Sequence, residues 1–261
     1  MMTAKNRIEE IKRTGYTLDF GDVFNKTIEN YKQIAVNAGI AYILFLAIMA
    51  GVGLAAFSMI WGFSSMTETL AGFNIQNFSA VGTIIYILIS SLFGGLTAPF
   101  TAGIIKMSHC AATKQDFSIG TAFDYYKSAY FKEIFIAAVI IALFTNGVNV
   151  GLQQLGLPFV AIIPSCIIAL LCILTIPLII FGQLTAVEAI QASVMLVPKQ
   201  IFTITGLLIV SLIIACLGFI GFCIGIFFTM PFLYACYYCI YDEIIGTEFK
   251  SELDEIGEVA D

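Results

Sequence analysis

Charge is scarce in this sequence. Only 11% of its 261 residues are Asp, Glu, Lys or Arg, while 59% are apolar; ordinary globular chains carry about 25% charged residues. With a mean hydropathy of +0.95, a water-soluble domain of this length is excluded. The 12 Lys and Arg make no basic surface, which excludes a nucleic-acid partner. Six prolines and the lack of a long polar tract exclude a disordered chain. The net charge of −6 is local. Eight acidic residues fall between Asp242 and Asp261 beside one Lys250, and the rest of the chain is close to neutral.

What fills the sequence instead is long apolar runs. A bilayer core of about 30 Å needs about 20 apolar helical residues, because each backbone amide must find its partner within the helix. Residues 34–62, 81–105, 134–154, 158–182, 201–218 and 221–241 meet this length. The expected fold is therefore an all-α polytopic membrane protein with six transmembrane helices. Residues 1–33 form an N-terminal arm, 34–241 the membrane domain and 242–261 an acidic tail. Residues 1–33 mix both signs of charge and hold no apolar run, so no signal peptide is expected. Lys and Arg mark the cytoplasmic side, and all 12 fall in segments on one side of the six spans. Both termini are thus expected in the cytoplasm. Tyr125, Tyr126, Tyr130, Tyr237, Tyr238 and Tyr241 form an aromatic belt near that interface, and Trp61 marks the other.

An internal repeat groups the six spans into three hairpins. Each odd-numbered span begins at a boundary lysine, Lys32, Lys132 or Lys199, whose ammonium can snorkel to water. Each even-numbered span carries Thr-x-Pro and then a large apolar residue: Thr97 and Pro99, Thr175 and Pro177, Thr229 and Pro231. A proline in a helix frees the carbonyl four residues earlier, here Gly95, Ile173 and Phe227, and bends the axis. One reading is a cytoplasmic vestibule lined by these carbonyls and hydroxyls; the other is inherited geometry relieved by neighbouring helices. A short amphipathic segment precedes each hairpin, near 20–31, 118–130 and 186–197, and is expected to lie in the cytoplasmic interface. Asp19 is the expected cap of the first.

No Asp, Glu, Lys, Arg or His lies within the six spans, which argues against proton coupling and against acid or base catalysis in the membrane. No nucleophile can be paired with a base, His109 standing alone, so no enzyme is expected. Asn146, Asn149 and Gln153 share a face of the third span, and counting from Pro158 places Ser165 at the depth of Asn146. They read as interhelical bonds or as a site for a polar ligand. Small-residue stripes at Ala47, Gly51 and Ala55, at Gly94, Ala98 and Ala102, and at Gly221, Gly225 and Thr229 read as packing seams in the bundle, with a homo-oligomer seam as the alternative. Cys236 and Cys239 have C-x-x-C spacing and His109 adjoins Cys110, yet one such pair in an apolar helix is small apolar filler; no metal or cofactor is expected.

The stretch from Glu188 to Leu196, followed by an apolar span, Gly218, Gly221, Gly225, Pro231 and Tyr234 to Tyr241, resembles the membrane domain attached to some bacterial glycerophosphoryl diester phosphodiesterases, and also stand-alone bacterial membrane proteins of unknown function. The resemblance covers about the last 80 residues. Ala192 departs from it, standing where those sequences often have a basic residue. No segment is long enough for the soluble phosphodiesterase domain. The resemblance implies the fold and a bacterial inner membrane, and transfers no chemistry. Together these features point to a scaffold or accessory subunit that meets membrane lipid and a protein partner on its cytoplasmic face. The alternative is a transporter or exporter of a small uncharged, amphipathic or lipid-like molecule.

Overall fold

The computed structural model describes residues 4–61, 78–220 and 225–246. The acidic tail beyond Gly246, most of the loop expected at 63–80, and Gly221 and Cys223 lie outside the described residues. The described chain is helical throughout, with no strand. Its helices are α1 (Ala4–Thr14), α2 (Phe20–Trp61), α3 (Ala80–Ala112), a 3-10 helix (Ile119–Tyr126), α4 (Phe131–Gln154), α5 (Ile162–Leu171), α6 (Thr175–Ile180), α7 (Ala186–Leu196), α8 (Ile201–Leu217), α9 (Gly225–Thr229) and α10 (Pro231–Ile244).

Five stretches are long and apolar enough to cross a membrane: Phe20–Met59, Ala80–Ala112, Phe131–Gln154, Ile162–Ile180 and Ala186–Leu217. The chain is thus a multi-pass helical membrane protein. The described part of the sixth expected span is α9 and α10, broken at Met230.

The N-terminal arm differs from its expected form. No separate interfacial helix covers 20–31. The Asp22 N–H donates to Asp19 Oδ1 at 2.9 Å, and α2 then runs unbroken for 42 residues, about 63 Å at 1.5 Å per residue. Nothing between Phe20 and Trp61 forces a stop, since no proline occurs there. The additional element is α1, whose Ala4, Ile8 and Ile11 are buried. It ends where Gly15 takes the left-handed conformation (φ 76°) and its N–H donates to Ile11 O at 2.9 Å. The second expected interfacial segment contains the 3-10 helix. The third is α7, opened by a capping box between Thr185 and Glu188.

The charged ends of these helices meet in one layer. Lys5 pairs with Glu188 at 2.8 Å, Lys106 with Asp124 at 2.8 Å, and Lys26 with Glu243. Glu133 accepts from the Ala186 N–H at 2.8 Å, and Lys199 donates to the Lys12 carbonyl at 3.0 Å, closing the C-terminal end of α1. The apolar core lies beneath this layer. One cluster gathers Leu174, Leu178, Ala189, Leu196, Tyr238 and Tyr241; a second gathers Ile34, Ala38, Phe100, Ile104, Met107 and Ala122. Gly103 makes the second possible, because a Cβ there would fall on the Ala122 backbone carbonyl. Broad contacts join helices of different expected hairpins, α3 with α4 and α2 with α10.

The first small-residue stripe is not a packing seam among the described residues. Ala47, Gly51 and Ala55 are exposed, as are Ile48, Val52 and Met59, at 55%, 60% and 87%. The buried residues of α2 end at Ala41, so among the described residues its far half presents much of its apolar surface outward.

Candidate functional site

The polar cluster predicted on the third span is built, with a different pairing. Asn146 Nδ2 donates to Ser90 Oγ and Ser91 Oγ of α3, both at 3.1 Å. Asn149 Nδ2 donates to Ser165 Oγ at 3.0 Å, and Gln153 Nε2 to Asn149 Oδ1 at 3.2 Å. Ser165 therefore meets Asn149 and not Asn146. The connection between α4 and α5 occupies residues 155–161, with Gly156 at φ 77°, so α5 starts at Ile162 and Ser165 lies nearer that connection than a count from Pro158 implies. Gln154 Nε2 donates to Thr83 Oγ1 at 2.8 Å. Sequence reading missed Thr83, Ser90 and Ser91. Their signal was a serine pair amid an apolar run, silent about which helix it faced.

The three Thr-x-Pro elements behave unequally. Pro99 lies inside the unbroken α3. Pro177 follows a gap at 172–174 that separates α5 from α6, and Pro231 opens α10 after the break at Met230. Thr97 Oγ1 turns back onto Gly94 O at 2.9 Å, and Thr229 Oγ1 reaches Ala215 O of α8 at 2.8 Å. Thr175 is buried, at 1% exposure, and its hydroxyl finds no hydrogen-bond partner; the Cys172 thiol is its polar neighbour.

Each proline site also receives a hydroxyl from one of the three short amphipathic segments. Tyr126 Oη donates to Leu96 O at 2.8 Å, three residues before Pro99. Tyr31 Oη donates to Phe228 O at 3.0 Å, three residues before Pro231. Ser193 spans the gap before Pro177, donating to Leu171 O at 2.6 Å and accepting from Leu174 N at 3.2 Å. The contacts at Leu96 and Phe228 fall one residue after the carbonyls expected to be freed, Gly95 and Phe227. The first segment serves the third site, the second serves the first, and the third serves the second.

The boundary lysines Lys32, Lys132 and Lys199 are exposed. His109 faces Tyr238, with Nδ1 3.3 Å from its hydroxyl, and packs on Phe181. Among the described residues no three His, Cys, Asp or Glu side chains converge to hold a metal ion. Tyr16, outside the spans, donates through its hydroxyl to Leu196 O at 2.9 Å, and burial pushes its phenol pKa up.

Between α3, α4 and the α5–α6 break lies a cavity of about 440 Å³. Its walls include Gly94, Ile141, Ala142, Ile173 and Ile176, with Asn146 and Ser90 toward one end and Thr175 and Tyr237 toward the other. No lining side chain is Asp, Glu, Lys, Arg or His. Of the repeated proline elements only Thr175 reaches it; Thr97, Pro99, Thr229 and Pro231 do not line it. Gly94, assigned in sequence to a packing seam, is a wall residue, and Thr101, Thr145 and Tyr237 were not singled out as site residues. Comparison with known proteins finds no matching family, no similar curated protein and no similar solved structure.

Proposed function

We propose that the chain is a non-enzymatic scaffold or accessory subunit of a bacterial inner membrane, built from six spans in three hairpins with both termini cytoplasmic. The observation that carries this reading is the hydroxyl exchange at the prolines. Tyr31, Tyr126 and Ser193 occupy backbone groups beside the three prolines, so those groups serve cohesion between hairpins and not a shared vestibule. The cyclic order of the exchange is what three copies of one unit would produce on closing into a ring. The sixth crossing is assigned to Gly225–Thr229 and Pro231–Ile244, packed against α8 where Gly218 and Gly225 approach so closely that neither has room for a Cβ. The sequence likeness of the last 80 residues to phosphodiesterase membrane domains supports the bacterial setting. Charged side chains gathered at one end give a cytoplasmic partner its docking face. Isolation at native expression in mild detergent should recover a stoichiometric partner, and a chain that purifies alone removes the reading.

The second reading is a transporter or exporter of a small uncharged, amphipathic or lipid-like molecule. The cavity beside the α5–α6 break favours it, since interrupted helices recur at transporter binding sites. Flux into liposomes that is lost on replacing Pro177 or Asn146 supports transport; flux indifferent to both excludes it.

A further inference from the structure

We propose that the cavity holds the alkyl chain of one uncharged, hydroxyl-bearing lipid, with its head at Thr175. The inference uses the cavity of the transport reading but requires no transport, since a lipid retained as a fixed part of the fold satisfies it equally.

Three observations fix the class of ligand. First, the wall is mostly apolar and carries no Asp, Glu, Lys, Arg or His, so a phosphate, ammonium or carboxylate head would be stranded without a counter-charge. Second, the space extends along α3. From Ser90 to Ile105, both on the wall, α3 rises about 22 Å. About 440 Å³ lies in the ordinary range of a small-ligand site and has room for one alkyl chain. Third, the polar groups differ in what they have left to give. Asn146 has spent its N–H donors on Ser90 and Ser91, and Thr145 donates to Ile141 O at 2.8 Å. Thr175 is buried at the other end, its hydroxyl without an oxygen or nitrogen partner and beside only the weakly bonding Cys172 thiol. A buried hydroxyl left unmatched is costly, and an alcohol or ester head there supplies both a donor and an acceptor. The tail then runs past Ala138, Ile141 and Ala142 toward Ala169.

The test uses the full chain reconstituted in phosphatidylcholine vesicles with a monoacylglycerol bearing a mid-chain diazirine. After illumination, label is expected on peptides spanning 137–146 and 169–176, displaced by excess unlabelled monooleoylglycerol but not by lysophosphatidic acid. Thr175→Val, which keeps the side-chain shape, should reduce the label severalfold with the melting temperature retained; Ala142→Phe, which fills the cavity, should abolish it. Label confined to the exposed face of α2, equal displacement by the anionic lipid, or full labelling of Thr175→Val in a folded protein would overturn the proposal. Labelling without flux retains the bound lipid and removes only the transport reading. Flux without labelling of these peptides removes the bound lipid.

Discussion

At the charged end of the bundle Leu174, Tyr238 and Tyr241 are buried beneath a layer of ion pairs, and Gly103 admits the 3-10 helix against α3. At the opposite end Val52 and Met59 stand exposed, Gly51 has nothing within 4 Å of where a Cβ would be, and α4 is held to α3 and α5 through Asn146, Asn149 and Gln154. The difference follows from the surroundings. Lipid is as apolar as leucine, so burial gives spans little reason to associate, and close packing or a hydrogen bond must do it. Near the aqueous boundary burial contributes again, at about 25 cal/mol per Å² of apolar surface, and the core concentrates there.

The sharpest way to break this contrast is a pair of glycines. Gly103→Leu should cost about 3 kcal/mol, because its side chain collides with the Ala122 backbone, whereas Gly51→Leu should leave stability nearly unchanged. Thermal unfolding in detergent, followed by circular dichroism, reads both; equal losses would erase the distinction. Ser193→Ala comes next. It strips the partner from the buried Leu174 N–H and from Leu171 O, a loss of about 1–3 kcal/mol, while Tyr126→Phe and Tyr31→Phe should each lose about 1 kcal/mol. A double-mutant cycle on Asn149 and Ser165 should give a coupling of about 0.6 kcal/mol; zero coupling would deny that amides tie the far half. Smallest is Lys5→Ala. It removes an exposed pair with Glu188 worth less than about 1 kcal/mol, and the effect should vanish at high salt.

Much of this arrangement was legible in the sequence, for identifiable reasons. Length and hydropathy found five helices of membrane-crossing length, because a span must satisfy its own backbone. Spacing put Asn146, Asn149 and Gln153 on one face, and Asp19 was read correctly as a cap. What the sequence hid was pairing. Ser165 found Asn149 because the connection after α4 takes seven residues, a length that apolar composition does not mark. Tyr31, Tyr126 and Ser193 looked like interfacial residues, and only the packing of one helix on another gives their hydroxyls a carbonyl to meet. Ala47, Gly51 and Ala55 had the spacing of a seam and no neighbour, since a small-residue stripe says how closely a helix can approach and not whether one does. The N-terminal α1 was missed because its apolar face has only Ala4, Ile8 and Ile11 in a charged stretch.

The central claim is that the charged end lies in the cytoplasm and the other end outside. Single cysteines in a background stripped of the seven native ones test it directly, at Thr14 and Ser118 for the charged end and at Ser79 and Leu155 for the other. A membrane-impermeant maleimide added to intact cells should label Ser79→Cys and Leu155→Cys only, with Thr14→Cys and Ser118→Cys reacting after the membrane is opened. Labelling of Thr14→Cys or Ser118→Cys in intact cells would contradict the account.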